Sequence, residues 1–274
     1  MINVINYHIT SLCNYHCKYC FVGFDEKSPT KETAFSIIEA IHKFFVENGI
    51  NDGRINFAGG EPLLYPHLTD VIEYANSLNL KVSIITNGSL LTEKLVSNWQ
   101  DKVETIGISI DASKNETNRM IGRDQNGKTF DKEHIFKIAD CIHENGIKLK
   151  INTVVSKLNL NENMFSLYKR VKPDRLKFLC LHVLDNINCV ASMLMPTNEE
   201  FESFVTKNKY EQGNEVVVEN EGSMQNSYLM ISPCGNVFLN ESGEGKIYGN
   251  CLTQDLCEIY RVLPFDKNKY NLRY

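Results

Sequence analysis

The sequence predicts an α/β protein in which six strand–helix units form a partial (βα)6 barrel, followed by a small α+β C-terminal extension. Strand-like and helix-like patterns alternate from the start of the 274-residue chain. The connections between them are short, which favours a parallel sheet with helices outside it. Right-handed crossovers curl such a sheet into a barrel, and the pattern changes after the sixth unit.

Six strands are predicted from short apolar and β-branched runs between turn residues. They span residues 2–9, 54–57, 81–86, 104–111, 148–155 and 174–181. Helices are predicted between them from apolar residues at helical spacing. They span residues 31–47, 68–78, 91–99, 131–145 and 163–171.

After residue 184 the pattern changes to one helix, 198–207, and three short strands, 216–219, 228–232 and 236–240. The chain left after the sixth strand is too short for two more full units, and no linker precedes it. We therefore expect a barrel core over residues 1–184 and an extension over residues 185–274 that packs on it.

Composition excludes several classes of protein. A formal net charge of −5 gives no basic field for nucleic-acid binding. No apolar run approaches the length of a membrane span, and no secretory signal is present. Nine cysteines at irregular spacing indicate reduced thiols rather than a disulfide framework. We expect a monomeric, cytoplasmic protein that binds neither membranes nor nucleic acid.

Cys13, Cys17 and Cys20 lie within eight residues after the first predicted strand. Thiolates are the ligands of iron–sulfur clusters, and one loop with this spacing can hold three irons of a [4Fe–4S] cluster. No fourth cysteine completes the set, so one iron keeps the open position typical of a catalytic site. The alternatives are an incomplete zinc site that includes His16, and three unrelated core thiols. Zinc sites usually contain a second ligand pair, which is absent.

Further polar residues follow the ends of the next strands. Residues 59–61 (Gly-Gly-Glu) follow the second strand, residues 87–89 (Asn-Gly-Ser) follow the third, and Ser109 and Asp111 end the fourth. The carboxyl ends of barrel strands meet at one rim, where chemistry concentrates. The glycine pair is also compatible with a tight turn that needs positive φ.

Four strands each carry two polar residues spaced two apart, which places both on one face. These pairs are Asn6 and His8, Arg54 and Asn56, Lys150 and Asn152, and Arg175 and Lys177. The alternative is a solvent-exposed strand face. A buried cluster of like charge is costly without an anion. We therefore predict that these residues, other than His8, form a cradle for the substrate polyphosphate.

The cysteine motif resembles that of radical S-adenosylmethionine (SAM) enzymes, and longer segments resemble the viperin family within that superfamily. The segments include NYHITSLCNYHCKYCF, INFAGGEPLL, TNGSLLTE, ISIDAS, MIGRDQNGK, LKINTVVSKLN, DRLKFLCL, MPTNEEFESFV and NSYLMI. The resemblance implies a [4Fe–4S] cluster and SAM as cofactors. It also implies that a 5′-deoxyadenosyl radical attacks C4′ of a ribonucleoside triphosphate. The product would be the 3′-deoxy-3′,4′-didehydro nucleotide, an antiviral chain terminator.

The resemblance also implies roles for individual residues. It places Gly59, Gly60 and Glu61 against the amino group of SAM, Ser109 and Arg123 against its carboxylate, Thr86 and Asn87 near its ribose, and Tyr19 beside the adenine and the cluster. Tyr228 matches the proposed donor of the final electron and proton. Alternatives are a solvated loop arginine for Arg123 and a packing role for Tyr228.

By the same resemblance, CTP, UTP or GTP would be the substrate and a flavodoxin- or ferredoxin-type protein the reductant. A prokaryotic homologue is expected because the barrel begins at once, and the family's Gly-rich, aromatic lid would lie beyond Tyr274.

A peptide- or RNA-modifying enzyme with an auxiliary cluster at Cys234, Cys251 and Cys257 is one alternative. A non-catalytic electron-transfer or sensor protein is another. The remaining cysteines, Cys141, Cys180 and Cys189, are predicted to be core residues.

Overall fold

The computed structural model describes residues 2–23, 25–129, 131–241 and 244–273. Within these ranges the strands are β1 (Val4–Thr10), β2 (Arg54–Gly59), β3 (Lys81–Thr86), β4 (Thr105–Ser109), β5 (Asp124–Gln125), β6 (Lys128–Thr129), β7 (Lys148–Val155), β8 (Arg175–Cys180), β9 (Glu215–Glu219), β10 (Met230–Ile231), β11 (Asn236–Glu241) and β12 (Glu244–Asn250). The helices are α1 (Lys31–Glu47), α2 (Leu68–Ser77), α3 (Glu93–Asn98), α4 (Asn115–Ile121), α5 (Lys132–Glu144), α6 (Phe165–Val171), α7 (Asn198–Asn208), α8 (Glu221–Met224), α9 (Leu256–Val262) and α10 (Lys267–Asn271).

Ten strands form one sheet in the order β12-β11-β10-β1-β2-β3-β4-β7-β8-β9. The strands from β10 to β9 run parallel to their neighbours, whereas β11 and β12 are antiparallel. In the part of the chain that the structure describes, no backbone ladder closes the sheet on itself. The six predicted barrel strands and the partial parallel barrel are confirmed.

The extension adds strands to both sides of the six predicted strands. One of them, β9, follows α7 and pairs in parallel with β8, so it continues the parallel barrel sheet. The sequence did not predict this pairing. It is possible because the connection through α7 is long enough for a parallel crossover. The division at residue 184 stays a prediction.

Alternation along the barrel strands separates an apolar face from a polar one. Leu149 and Ile151 of β7 are fully buried in the core that the sheet forms with the surrounding helices. Lys150 lies between them in sequence and Asn152 follows Ile151, so both polar residues lie on the opposite face of the strand, where Lys150 lines a cavity with Arg54 and Arg175. The prediction that Lys150 and Asn152 share one face of their strand is therefore confirmed.

Several helices begin at a residue whose side chain caps the helix. Thr30 accepts a hydrogen bond from the Thr33 N–H at the start of α1, and Thr197 with Glu200 forms a capping box on α7. No helix in the described ranges is long and apolar enough to cross a membrane.

The end of β2 packs directly on the chain that leads into the cysteine loop. The Gly60 N–H donates to the Thr10 carbonyl at 2.7 Å, and the Glu61 N–H donates to the Leu12 carbonyl at 2.7 Å. A Cβ atom at Gly60 would lie 2.2 Å from the Leu12 oxygen. Only glycine fits this approach of two backbones.

We predict that Gly60→Ala destabilises the protein by about 1–3 kcal/mol, because one of the two backbones must move. The free energy of unfolding in urea measures this. Gly222→Ala is the matched control, since the nearest atom to its added Cβ lies 3.6 Å away. Equal stability of the two variants would contradict this reading of the turn.

Candidate active site

The cysteine loop lies on the surface beside α4. The His16 N–H donates to the Gly122 carbonyl at 3.1 Å, and the Lys18 N–H donates to the Ile121 carbonyl at 2.9 Å. Of the three thiols, Cys20 is exposed and the other two are partly buried. All are free, and Cys20 lies near enough to Cys13 and Cys17 to contribute to the raised pKa of each.

The three thiols fit the ligand set of a cluster held by three cysteines. Burial raises the pKa of Cys17 to about 11, although Arg123 opposes the rise. Burial also raises the pKa of Cys13. Such thiols stay protonated at neutral pH unless a metal centre displaces the proton. One loop that provides three sulfur ligands suits a [4Fe–4S] cluster in which the fourth iron has no protein ligand.

The other cysteines do not share this loop. Burial raises the pKa of Cys251 to about 12 and that of Cys257 to about 11. Cys141 and Cys180 are buried, as predicted. The prediction for Cys189 was wrong, because it begins an exposed 3-10 turn, Cys189–Leu194, that follows the loop after β8.

A buried carboxylate, Asp111, organises the rim beside the cysteine loop. It accepts hydrogen bonds from the Tyr19 hydroxyl at 2.5 Å, from the Val154 N–H at 2.7 Å and from Arg123 Nε. Burial and Asp111 together raise the pKa of Tyr19, so its phenol stays protonated. Burial would lower the pKa of Arg123, but Asp111, Cys17 and Tyr19 together outweigh it and raise that pKa, so this buried guanidinium stays charged.

A second buried carboxylate, Glu61, joins the ends of β2 and β3. It accepts hydrogen bonds from Thr86 Oγ1 and the Asn87 N–H, each at 2.7 Å. Burial raises the pKa of Glu61. The Asn87 side chain in turn donates to Asn14 Oδ1 in the cysteine loop at 2.8 Å. Residues predicted to bind SAM therefore meet at one rim with the cysteine loop.

The Gly-Gly-Glu turn does not present free N–H groups. The N–H groups of Gly60 and Glu61 donate to the chain before the cysteine loop, as described above. The turn can therefore offer carbonyl oxygens, which suit an ammonium group, rather than donors for an anion. Ser109 ends β4 in register with Asn152 of β7, which places it at the same rim.

Four of the predicted cradle residues line one cavity of about 230 Å³ near the amino ends of the strands. They are Arg54, Asn56, Lys150 and Arg175. Arg54 pairs with Glu104 at 2.5 Å, and Arg175 pairs with Glu215 at 3.3 Å. Burial, together with Lys177 and Arg175, holds the pKa of Lys150 well below its usual range. The cavity lining thus pairs both arginines with carboxylates, whereas Lys150 lies in surroundings that disfavour its charged form.

The other three cradle residues lie elsewhere on the polar face. Asn6 accepts a hydrogen bond from Asn56 Nδ2 at 2.8 Å, which links β1 to β2. Asn152 is buried, and its Oδ1 has no hydrogen-bond partner within the described ranges. It lies in register with Lys177 of β8.

Lys177 and Tyr228 are in direct contact. The Lys177 ammonium contacts the Tyr228 hydroxyl and Glu219 Oε1, and the Tyr228 hydroxyl donates to Glu219 Oε2 at 2.6 Å. Burial lowers the pKa of Lys177 to about 8. Burial would raise the pKa of Glu219, but Lys177 and Arg273 outweigh it and lower that pKa. Sequence reasoning missed Glu219 and Arg273, which contact the predicted site residues Lys177 and Tyr228.

A family model described as the Radical SAM superfamily matches residues 7–166. Proteins named S-adenosylmethionine-dependent nucleotide dehydratase match almost the whole chain. The one from Flammeovirga pacifica is 30% identical and covers 97% of this chain and 92% of its own length. The one from Selenomonas ruminantium is 31% identical and covers 98% of each. The chain belongs to the radical SAM superfamily, among the S-adenosylmethionine-dependent nucleotide dehydratases.

The viperin resemblance is confirmed by these relatives, which include the dehydratase RSAD2 of Oncorhynchus mykiss at 30% identity over 83% of this chain and 66% of that protein. Solved radical SAM structures share the fold. Native anSMEcpe with bound AdoMet gives a TM-score of 0.72 at 17% identity and covers 98% of this chain and 81% of that one. SuiB of Streptococcus suis bound to S-adenosylmethionine gives 0.66 at 17% identity, with 98% and 67% covered.

We predict that Asp111→Asn destabilises this radical SAM protein by about 3–5 kcal/mol, because Arg123 is left buried without a counter-charge. Urea unfolding of the cluster-free protein measures the change. Glu73→Gln is the matched control, since it removes one partner of the exposed Lys102–Glu73 pair and should cost no more than about 1 kcal/mol. If Asp111→Asn lowers the free energy of unfolding no more than the control does, Asp111 is not the counter-charge on which buried Arg123 depends.

Proposed function

We propose that this radical SAM protein dehydrates a ribonucleoside triphosphate to its 3′-deoxy-3′,4′-didehydro analogue. The type of reaction comes from the name of the relatives, which match the chain over nearly its full length. The observation that carries the proposal is the contact between the Lys177 ammonium and the Tyr228 hydroxyl. A residue suited to bind phosphate and a residue suited to end the reaction lie against each other.

The cradle residues provide the charge that a triphosphate needs. Lys150, Arg175 and Lys177 occupy two adjacent strands in register, and burial together with repulsion from the neighbouring cations disfavours the charged forms of the two lysines. A triphosphate relieves that repulsion, and each charge-assisted contact contributes about 1.5–3 kcal/mol. Arg54, Asn56, Asn6 and Asn152 complete the polar face around it.

The rim residues would hold the cofactors. Cys13, Cys17 and Cys20 would ligate the [4Fe–4S] cluster. When bound, the cluster would supply the electron for reductive cleavage of SAM, and SAM would supply the radical that acts at C4′ of the nucleotide. Arg123 is held by Asp111 in a position to pair with the SAM carboxylate.

The remaining predicted SAM contacts are fixed before SAM arrives. The turn at Gly59 and Gly60 offers carbonyl oxygens to the SAM amino group, while Glu61 holds Thr86 and Asn87 in place for its ribose. Ser109 would assist Arg123 at the carboxylate. Tyr19, with its hydroxyl anchored on Asp111, would cover the adenine and the cluster.

Tyr228 would complete the reaction. Once the C4′ hydrogen is gone, loss of the 3′-hydroxyl as water requires one electron and one proton, and a phenol O–H supplies both. We further propose CTP, UTP or GTP as the substrate, a flavodoxin- or ferredoxin-type protein as the electron donor, and a monomer in the cytoplasm as the working form.

An anaerobic assay of the reconstituted protein with SAM and each of CTP, UTP, GTP and ATP tests the reaction. We expect 5′-deoxyadenosine together with a nucleotide lighter by one water, detected by mass spectrometry. Cys17→Ala should abolish both products, whereas Cys141→Ala, a change at a buried core thiol, should keep them. SAM cleavage without any dehydrated nucleotide from all four substrates would refute the proposal.

We predict that nucleotide binding weakens as pH rises through 8, because Lys177 has a pKa of about 8 in the free protein and loses its charge above that pH. The charged and titratable groups around it are Glu219, Tyr228, Arg273, Arg175 and Lys150. Between pH 7 and pH 9 the affinity should fall about tenfold, the same factor as the protonated fraction of Lys177.

Calorimetric titration of the cluster-free protein with the preferred nucleotide measures this dependence. Lys177→Arg is the control, because arginine keeps its charge over the whole range and should give a much flatter profile. A profile for Lys177→Arg as steep as the parent's would show that another group controls binding.

A further inference from the structure

Arg273 is a buried arginine that none of the proposed functions above uses. It follows α10 and is only 3% exposed. Its guanidinium lies between Glu219, the last residue of β9, and the segment that precedes β10. It therefore links two stretches of chain that no backbone ladder joins within the described residues.

The guanidinium makes four hydrogen bonds. Nε donates to Glu219 Oε1 at 2.6 Å, and Nη1 donates to the Ser227 carbonyl at 2.7 Å. Nη2 donates to Ser227 Oγ at 2.8 Å and to the Ser223 carbonyl at 2.9 Å. This uses nearly all the donors of an arginine, so its position is strongly specified.

The same guanidinium covers the ring of Tyr228. Arg273 Cζ lies 3.7 Å from the ring centroid, within the range of a cation–π contact. The phenol oxygen is held at its other end by Glu219 and Lys177. The ring face and the hydroxyl of Tyr228 are therefore both fixed by this network of four residues, which we call the tyrosine network.

Arg273 is brought to this place by α10. The Tyr270 hydroxyl in α10 accepts hydrogen bonds from the N–H groups of Asn3 at 3.0 Å and Val4 at 3.1 Å, at the start of β1. The Asp266 N–H, at the start of α10, donates to the Asn226 carbonyl at 2.7 Å. The helix is thus attached to β1 and to the chain before β10.

The charges of the tyrosine network do not balance internally. Two buried cations, Lys177 and Arg273, share the single carboxylate of Glu219. Buried charge is costly, and a network built only for stability would be better served by apolar side chains. The arrangement is instead suited to fixing a polar side chain in one orientation.

We propose that Glu219 and Arg273 are positioning residues for Tyr228 in the final step of the reaction. The inference rests on the proposed function. In that step the Tyr228 O–H gives one electron and one proton to the nucleotide radical, the 3′-hydroxyl leaves as water, and a neutral phenoxyl radical remains. One electron from the protein reductant and one proton from solvent restore the phenol.

The test separates the two halves of the reaction. In the anaerobic assay, 5′-deoxyadenosine reports the first half and the dehydrated nucleotide reports the second. We expect Arg273→Met and Glu219→Gln to raise the ratio of 5′-deoxyadenosine to dehydrated nucleotide at least fivefold (about 1 kcal/mol). Arg273→Lys keeps the charge but cannot make the same four hydrogen bonds. Its ratio should therefore lie between those of the parent and Arg273→Met. Arg261→Met, at an exposed arginine of α9, should match the parent.

The second measurement is the NMR signal of Tyr228, which requires neither the cofactors nor catalysis. In cluster-free protein labelled with ¹³C-tyrosine, the Tyr228 signal is assigned by its absence in Tyr228→Phe. We expect Arg273→Met to shift or broaden this signal and Arg261→Met to leave it unchanged. An unchanged signal together with a parent-like product ratio would overturn the proposal and make Arg273 a structural residue.

Two further outcomes are distinguishable. If the parent makes no dehydrated nucleotide, the proposed function fails, and the NMR signal alone decides whether Arg273 orients Tyr228. Arg273→Met could also lose both 5′-deoxyadenosine and the dehydrated nucleotide while its Tyr228 NMR signal matches that of the parent. In that case Arg273 acts on substrate or SAM binding, and the positioning role is refuted.

Discussion

The structure depends on one electrostatic constraint: most cations that face the inside of the barrel lie beside carboxylates, because the sheet and helices remove much of their contact with water. Arg54 and Arg175 pair with Glu104 and Glu215, and Lys177 pairs with Glu219. At the rim the same logic pairs Arg123 with Asp111. A substrate that carries several negative charges can enter such an interior by replacing or adding to these partners.

The two carboxylates at the rim give the site its rigidity before any cofactor binds. Asp111 ties the cysteine loop to β7, and Glu61 ties β2 to the end of β3. Each is fully buried and accepts several donors, so neither can rotate without leaving another polar group unpaired. The three cysteines and the residues predicted to contact SAM are thereby placed on one stiff surface.

Local spacing made much of this predictable. The cysteine loop could be predicted because three cysteines lie within eight residues. The polar face of β7 could be predicted because Lys150 and Asn152 alternate with apolar residues. Glu219 and Arg273 could not be predicted, since their partners are distant in sequence and an isolated glutamate or arginine carries no pattern. Cys189 was misjudged because no clear period covers the segment after β8. The pairing of β9 with β8 could not be predicted either, because the sequence does not show on which strand the chain packs after α7.

The absence of a backbone ladder between β9 and β10, within the described residues, gives the barrel a seam made of side chains. A seam of this kind can widen by the loss of a few hydrogen bonds, whereas a closed ladder would have to break along its whole length. Among the described residues, the circumference of the barrel can therefore change most easily at this seam. Ligands of different size could be admitted by small movements there, while backbone ladders hold the opposite wall, which carries the cysteine loop.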